Sequence, residues 1–315
     1  MRSTAPRLHR PGLSVEHVLH PTYHPDAIDP STVSWDRVRL AKYLVHQQFS
    51  YQYPDRIRDL RHQLMVIPPE TFGDQRRTTY SLEVSEPGEV TTTMDSLVNT
   101  VIHVRIPLVE RAVEFEAWVT IERAGPPTPR AVPSAWLDDP RFLSPTLRTT
   151  PDAVIQQAAA ALGASGAQGL ELATQVNSWV HETMAYVPGV TGVHTTAATA
   201  LAERHGVCQD YSHVMIAICR LLGLPTLYVS GHMLGEGGTH SWVEVLLPAS
   251  DGSGGTVGWP LDPTHGRPAD LTYLTVAVGR DYGDVAPTSG SYRAGHGGSL
   301  TAHKEVRVIE VDYRD

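Results

Sequence analysis

The run His205-Gly206-Val207-Cys208-Gln209-Asp210-Tyr211 marks a change of pattern, and the rest of the chain is read outward from it. Before it, Thr196 to Arg204 fits a short helix, and Gly206 is expected to end that helix and let the backbone turn. After Cys208 the period is helical. Tyr211, Val214, Met215, Ile218, Leu221 and Leu222 share one face, and Gly223 with Pro225 stops the helix. Cys208 therefore stands at or near a helix N-terminus. Unpaired backbone N–H groups and the positive end of the helix dipole favour a thiolate there, and the same groups can hold an oxyanion. Cys219, followed by Arg220 and Leu221, reads as an ordinary core residue. The two thiols are eleven residues apart. On one helix that puts their Cα atoms about 16 Å apart, beyond the roughly 7 Å a disulfide spans. Both are expected to be free.

Three strands are expected downstream. Leu227-Tyr228-Val229-Ser230 is the first. His240 opens the second, His240 to Leu247, after the loop Gly235-Glu236-Gly237-Gly238. The third, Val257 to Asp262, ends in Asp262-Pro263-Thr264, and the Ser/Gly-rich stretch Ala249 to Gly255 suits a hairpin between the last two. If those two strands pair, His240 and Asp262 reach the same end of the sheet, with cross-strand Cβ atoms about 5 Å apart. A carboxylate there can accept the imidazole Nδ1–H and leave Nε2 to face the thiol. Each residue has an ordinary reading by itself, as core thiol, surface imidazole or turn. Helix, strand and next strand together make Cys208, His240 and Asp262 a candidate catalytic triad.

Upstream, Thr150-Pro151-Asp152 reads as a helix start with Thr150 as the capping hydroxyl, and Gly163 as its end. A second helix fits 169 to 184, with Ala173, Val176, Val180 and Met184 on one face. Residues 125 to 150 carry Pro126, Pro127, Pro129, Pro133, Pro140 and Pro145 and read as an extended linker. From about 40 to 122 the period is two: Tyr43, Val45, Phe49 and Tyr51; Tyr80, Leu82 and Val84; Val98, Ile102, Val104 and Ile106; Val113, Phe115, Ala117, Val119 and Ile121. Successive half-buried strands with no helix between them make an antiparallel sandwich-like domain, with nothing in it that suggests chemistry. The expected organisation is an extension of unclear structure over 1–38, a β-domain over 39–124, the linker over 125–150 and a catalytic unit over 151–315. In the extension, five prolines interrupt every period, and His9, His17, His20 and His24 lack a metal-site spacing.

Composition sets the outer limits. A chain of 315 residues suits two domains, and 41% hydrophobic with 19% charged residues is the balance of a folded protein. A net charge of −9 argues against a general polyanion binder, so no nucleic-acid partner is expected. No apolar run approaches the roughly 18 residues of a membrane span, and Pro11-Gly12 falls where a signal peptide would be apolar. A cytoplasmic protein with no membrane partner is expected.

At this point the motifs resemble a known family. Gly206 to Tyr211, His240-Ser241-Trp242 and Leu261-Asp262-Pro263-Thr264 look like the three motifs of the transglutaminase-like superfamily, in the order nucleophile, His, Asp. Phe49-Ser50-Tyr51-Gln52-Tyr53-Pro54 and the block Ala277 to Val285 are similar to segments of its bacterial group with an N-terminal β-domain, so the resemblance covers about residues 40 to 310. It implies an α+β protein with a papain-like catalytic fold. Cys208 would be the nucleophile, His240 the base and then acid, and Asp262 the residue that orients it, acting on protein or peptide amides through a thioester. Hydrolysis is slightly favoured over transamidation, because water is the default acceptor. No cofactor and no metal is expected, since neither an EF-hand loop nor an HExxH pattern occurs. Beside the Cys208 N–H, Trp179, Tyr186 and Gln209 stand open as oxyanion donors, and Arg280 with Asp281 is expected to form a buried ion pair. Two other classes compete: a non-catalytic peptide-binding scaffold that keeps the fold, and a metal hydrolase built on His213, His232, His240 and His265.

Overall fold

The computed structural model describes residues 13–17, 26–125 and 129–314. Alternation in the first third yields long strands with one apolar face. Val38–Gln52 buries Tyr43, Val45, Gln47 and Phe49 in turn. It pairs antiparallel with Ala112–Ala124, which sets Val45 opposite Val119 and Phe49 opposite Phe115. Side chains two apart share a face, so this register brings both apolar stripes to one side. Gln75–Val84 and Leu13–His17 continue the sheet beyond Ala112–Ala124. A second sheet runs in the order Thr288–Arg293, Ile57–Leu64, Thr100–Val109, Glu89–Met94. Val45, Phe49 and Phe115 of the first sheet share one core with Leu60 and Ile106 of the second, making a sandwich. Val98 departs from its expected stripe. It sits in a turn at φ 61, where the Asp95 carboxylate accepts the Leu97 and Asn99 N–H groups.

Two expected boundaries give way to the strand pairing. Ser299–Tyr313 runs antiparallel along Val38–Gln52, and Thr288–Arg293 pairs with Ile57–Leu64. The last strands therefore join the sandwich, not a catalytic unit reaching to 315. Edge closure is the physical reason: without that partner, Val38–Gln52 would leave one whole edge of a fifteen-residue strand unpaired. Nor is 125–150 a bare linker. Arg130–Val132 pairs with the strand Thr256–Asp262, and Trp136 and Phe142 are buried beside Leu227, Trp242 and Tyr273. Pro126 and Pro127 lie outside the described residues, as do His9, His20 and His24.

The helices are α1 (Ala153–Gly163), α2 (Gly169–Thr183), α3 (Ala197–Glu203), α4 (Cys208–Leu221) and the short α5 (Tyr282–Val285). Asp152, not Thr150, caps α1, its carboxylate accepting the Ile155 N–H at 2.9 Å. α4 is the central element, with every residue from Gln209 to Arg220 buried. Its Val214, Met215 and Ile218 pack among Ile155 of α1, Val176 and Val180 of α2, and Val243 and Val245 of the sheet beneath. That sheet is antiparallel, in the order Arg267–Pro268, Thr256–Asp262, His240–Pro248, Thr226–Met233, Tyr273–Gly279.

The sandwich meets this sheet along Tyr273–Gly279. The Gln75 amide donates to the Thr275 carbonyl at 2.8 Å and accepts the Thr275 N–H at 2.9 Å. Asn99 does the same at Val278, with both bonds at 2.8 Å. Two side-chain amides thus stand in for a missing neighbouring strand. Arg123 bonds Asp74 and the carbonyls of Asp270 and Tyr273, and buried Arg130 pairs with buried Glu244 at 2.5 Å. Among the described residues, no helix is long and apolar enough to cross a membrane.

Candidate active site

Cys208 is the first residue of α4 and is half-buried. The turn that delivers it is fixed from both sides. The Asp210 carboxylate accepts the Val207 N–H and the Thr191 hydroxyl, at 2.8 and 2.7 Å. A Cβ on Gly206 would come within 2.6 Å of that same side chain, so a close approach requires the glycine. The helix before it ends elsewhere, at Arg204 with φ 54. Cys219 is fully buried, and burial pushes its thiol up to about 12. A thiol held neutral in this way is no nucleophile at neutral pH.

His240 opens its strand and Asp262 closes the next, with Val243 opposite Leu261 between them. His240 Nε2 lies 2.8 Å from Asp262 Oδ2, and the imidazole is within electrostatic reach of the Cys208 thiol. The three sequence-selected residues therefore come together. The imidazole, however, is turned over from the expected orientation, because Nε2 and not Nδ1 meets the carboxylate. Asp262 is pinned first. Its Oδ1 accepts the Thr264 N–H at 2.8 Å, and its Oδ2 accepts the Tyr273 hydroxyl and meets His265 Nδ1, both at 2.8 Å. The far nitrogen of the ring reaches this fixed carboxylate, and Nδ1 is left on the side of Cys208 and of Glu236, whose Oε2 is 3.3 Å away.

The charges follow from those contacts. Burial disfavours a charged His240, but hydrogen bonds to Asp262, Cys208 and Glu236 outweigh it and hold the imidazolium well above its ordinary range. Burial likewise works against the Asp262 carboxylate, and its bonds to His240 and His265 overcome that and hold it well below the usual carboxylate range. The arrangement can keep a positive ring beside a sulfur at neutral pH. The ligand atoms of His240, Asp262 and His265 lie within 4.8 Å of one another, as follows from one carboxylate oxygen bridging two rings. His213 belongs elsewhere, its Nε2 accepting the Tyr282 N–H.

The open oxyanion donors separate here. Gln209 is buried and its amide donates to the Gly192 carbonyl at 3.3 Å. Trp179 packs against the core around α4. Tyr186 is 53% exposed and sits in the electrostatic reach of Cys208, Glu236 and His240. The segment that follows it exposes Val187, Val190 and Val193 and is tied to the first turn of α4 through Thr191 and Gly192. The ion pair expected of Arg280 and Asp281 does not form. Arg280 pairs with Asp284 at 2.7 Å near the surface, whereas Asp281 caps α5 and faces Arg148 at 3.5 Å. Sequence reading left Glu236 in its loop and did not single out Tyr273, since neither has a spacing rule. It weighed His265 only as a metal ligand, although its place beside Asp262-Pro263-Thr264 was a usable signal.

Residues 156–263 match the family model of the transglutaminase-like superfamily, and residues 43–122 match that of the bacterial transglutaminase-like N-terminal region. The chain belongs to the transglutaminase-like superfamily. That superfamily is broadly one of thiol-dependent enzymes. An uncharacterized protein of Mycobacterium leprae is 38% identical over 124 residues, which are 36% of this chain and 42% of that protein. An uncharacterized protein of Mycobacterium tuberculosis is 35% identical over 132 residues, 38% of this chain and 41% of its own. The match thus spans less than half the length of these relatives. A crystal structure from Cytophaga hutchinsonii, described as a candidate cysteine protease, superposes with a TM-score of 0.71 over 88% of this chain and 94% of that one, at 20% identity. At that identity the likeness is one of fold, and it takes in both the sandwich and the transglutaminase-like core.

Proposed function

We propose that this transglutaminase-like protein is a cysteine acyl-transfer enzyme acting on amide bonds of proteins or peptides, with Cys208, His240 and Asp262 as its catalytic triad. The observation that carries the reading is that His240, held at 2.8 Å on the buried Asp262, is within electrostatic reach of the half-buried Cys208 at the start of α4. The thiolate attacks the amide carbonyl, and the C=O electron pair moves to oxygen, toward the N–H groups at the start of α4. Collapse of that intermediate expels the amine, which takes its proton from His240 Nδ1, and leaves a thioester on Cys208. Neutral His240 then removes a proton from the incoming nucleophile. Thiol is released with a carboxylic acid if that nucleophile is water, or with a new amide if it is a primary amine. Water is slightly favoured as the acceptor, because the half-buried Cys208 leaves a thioester within reach of solvent. The exposed Tyr186, Val187, Val190 and Val193 beside the first turn of α4 suit apolar side chains near the scissile bond.

Incubation with a peptide library, with and without a primary amine, followed by mass spectrometry of Cys208 tests this reading. An acyl adduct on Cys208 is expected, giving acid products in water and amide products in part when amine is present. A Cys208 that forms no adduct and alkylates no faster than a free thiol would leave a peptide-binding scaffold as the better reading.

A further inference from the structure

Glu236 and His265 close a ring that the triad alone does not account for. The ring runs from Asp262 Oδ2 to His240 Nε2, from His240 Nδ1 to Glu236 Oε2 at 3.3 Å, from Glu236 Oε1 to His265 Nε2 at 3.7 Å, and from His265 Nδ1 back to Asp262 Oδ2 at 2.8 Å. Imidazole and carboxylate alternate around it, and each oxygen of Glu236 faces a ring nitrogen, Oε2 closely and Oε1 at longer range. Glu236 belongs to the loop between Thr226–Met233 and His240–Pro248, four residues before His240, and its side chain is 37% exposed. It therefore stands at the mouth of the site, on the nitrogen that faces the thiol.

We propose that Glu236, braced by His265, is a positioning residue for His240: a second carboxylate that holds the imidazole protonated and aligned on Cys208 from the side opposite Asp262. This inference rests on the assignment of Cys208 and His240 made above. The physical case is electrostatic. One carboxylate fixes Nε2 and is itself fully buried, so it cannot move. The other meets Nδ1 at 3.3 Å from a part-exposed position, where it can yield when an amine nitrogen needs the same proton. The other groups around the ring are Cys208 from α4, Tyr273 from the edge strand and Tyr186 from Ala185–Tyr186. Of these only Cys208, once ionised, is an anion, and it draws on the same ring from α4, so Glu236 is the second carboxylate on His240 beside Asp262. The Glu236 carboxyl is held below its ordinary range, chiefly by its bond to His240, so it is ionised throughout the neutral range.

The test reads the imidazolium without any substrate. The rates at which iodoacetate and iodoacetamide alkylate Cys208 are measured from pH 5 to pH 10, and their ratio is taken at each pH. The ratio cancels the thiolate fraction and leaves the attraction of a positive ring for an anionic reagent. In Glu236→Gln the pH at which this ratio falls by half is expected to move down by about one unit, which is a tenfold change in the ratio of charged to neutral imidazole. His265→Gln is expected to move it the same way by less, and Glu236→Asp to recover part of the loss. A midpoint unmoved in Glu236→Gln, with the melting temperature unchanged, overturns the inference and leaves the triad standing. A wild-type Cys208 that alkylates no faster than a free thiol instead removes the triad beneath it. Should Glu236→Gln fail to fold, His265→Gln against wild type decides, since an unmoved midpoint there also breaks the ring.

Discussion

The sandwich and the α4 sheet both bury polar side chains, but to different ends. In the sandwich half, several of the buried polar groups are neutral amides that complete backbone hydrogen bonding: Gln47 donates to the Val66 carbonyl, and Gln75 and Asn99 each serve one residue of Tyr273–Gly279. Around α4 they are titratable, with Asp210, His213, His232, His240 and Asp262 all buried. An amide satisfies a donor and an acceptor at once without a charge to desolvate, so it suits a scaffold. A buried ionisable group has its protonation set by its neighbours, and that is what acid–base chemistry needs. The contrast is not complete: His62 and Arg123 are buried in the sandwich, Asn177 and Gln209 are buried amides on the α4 side, and the ionisable Arg130–Glu244 pair only braces the sheet.

The sharpest way to break this division is to remove the thiol. Cys208→Ala should abolish acyl-adduct formation outright with a melting temperature near wild type. His240→Ala should slow turnover by on the order of 10²- to 10⁴-fold while also lowering the melting temperature, because it takes a charged partner from the buried Asp262 carboxylate. Turnover surviving in Cys208→Ala would move the chemistry elsewhere.

Acid should come next in effect, and it should strike mainly the α4 half. Burial lowers His62 to about 4 and His213 and His232 to about 3. Unfolded imidazoles bind protons near about 6.5, so the unfolded chain holds more protons than the folded one in the interval below that value. Stability is thus intact above about pH 6.5 and falls as the pH drops toward 4, by about 1.4 kcal/mol per pH unit for each group. Urea midpoints between pH 7 and pH 4.5 check this. His62→Gln should flatten the slope by a smaller share than His213→Gln and His232→Gln together, and equal slopes in all variants would refute it.

A core truncation in the sandwich sharpens the contrast from the other side. Phe115→Ala should cost about 3–5 kcal/mol by cavity formation, read as a lower denaturation midpoint, while kcat stays close to wild type at a temperature where the variant is folded. The smallest effect is expected at the seam. Asn99→Ala strands the N–H and C=O of Val278 and should cost about 1–3 kcal/mol. Because Tyr273 on the same strand bonds Asp262, a measurable fall in kcat should accompany it, and a fall in stability alone would mean that the seam does not brace the site.

Much of this layout was legible in the chain. Alternation along Val38–Gln52 and Ala112–Ala124, and the helical face from Tyr211 to Leu222, are local patterns that burial enforces residue by residue. The last strand was not legible, because Ser299–Tyr313 is a polar edge with Val308 as its one fully buried hydrophobic residue. Its identity comes from the partner it covers. Prolines near Trp136 suggested a linker, since proline excludes helix whether or not its neighbours are packed.

The sequence by itself determined which atoms could do chemistry: a cysteine opening a helix, a histidine opening a strand and an aspartate ending the next. Those placements follow from backbone periodicity, which is a property of neighbours along the chain. Only the tertiary structure decided which imidazole nitrogen meets Asp262, that Glu236 and His265 join the row, and that Arg280 leaves Asp281 for Asp284. Each of these depends on distances between side chains from separate elements, and no local pattern encodes where a ring or a carboxylate comes to rest once its neighbours have taken their positions.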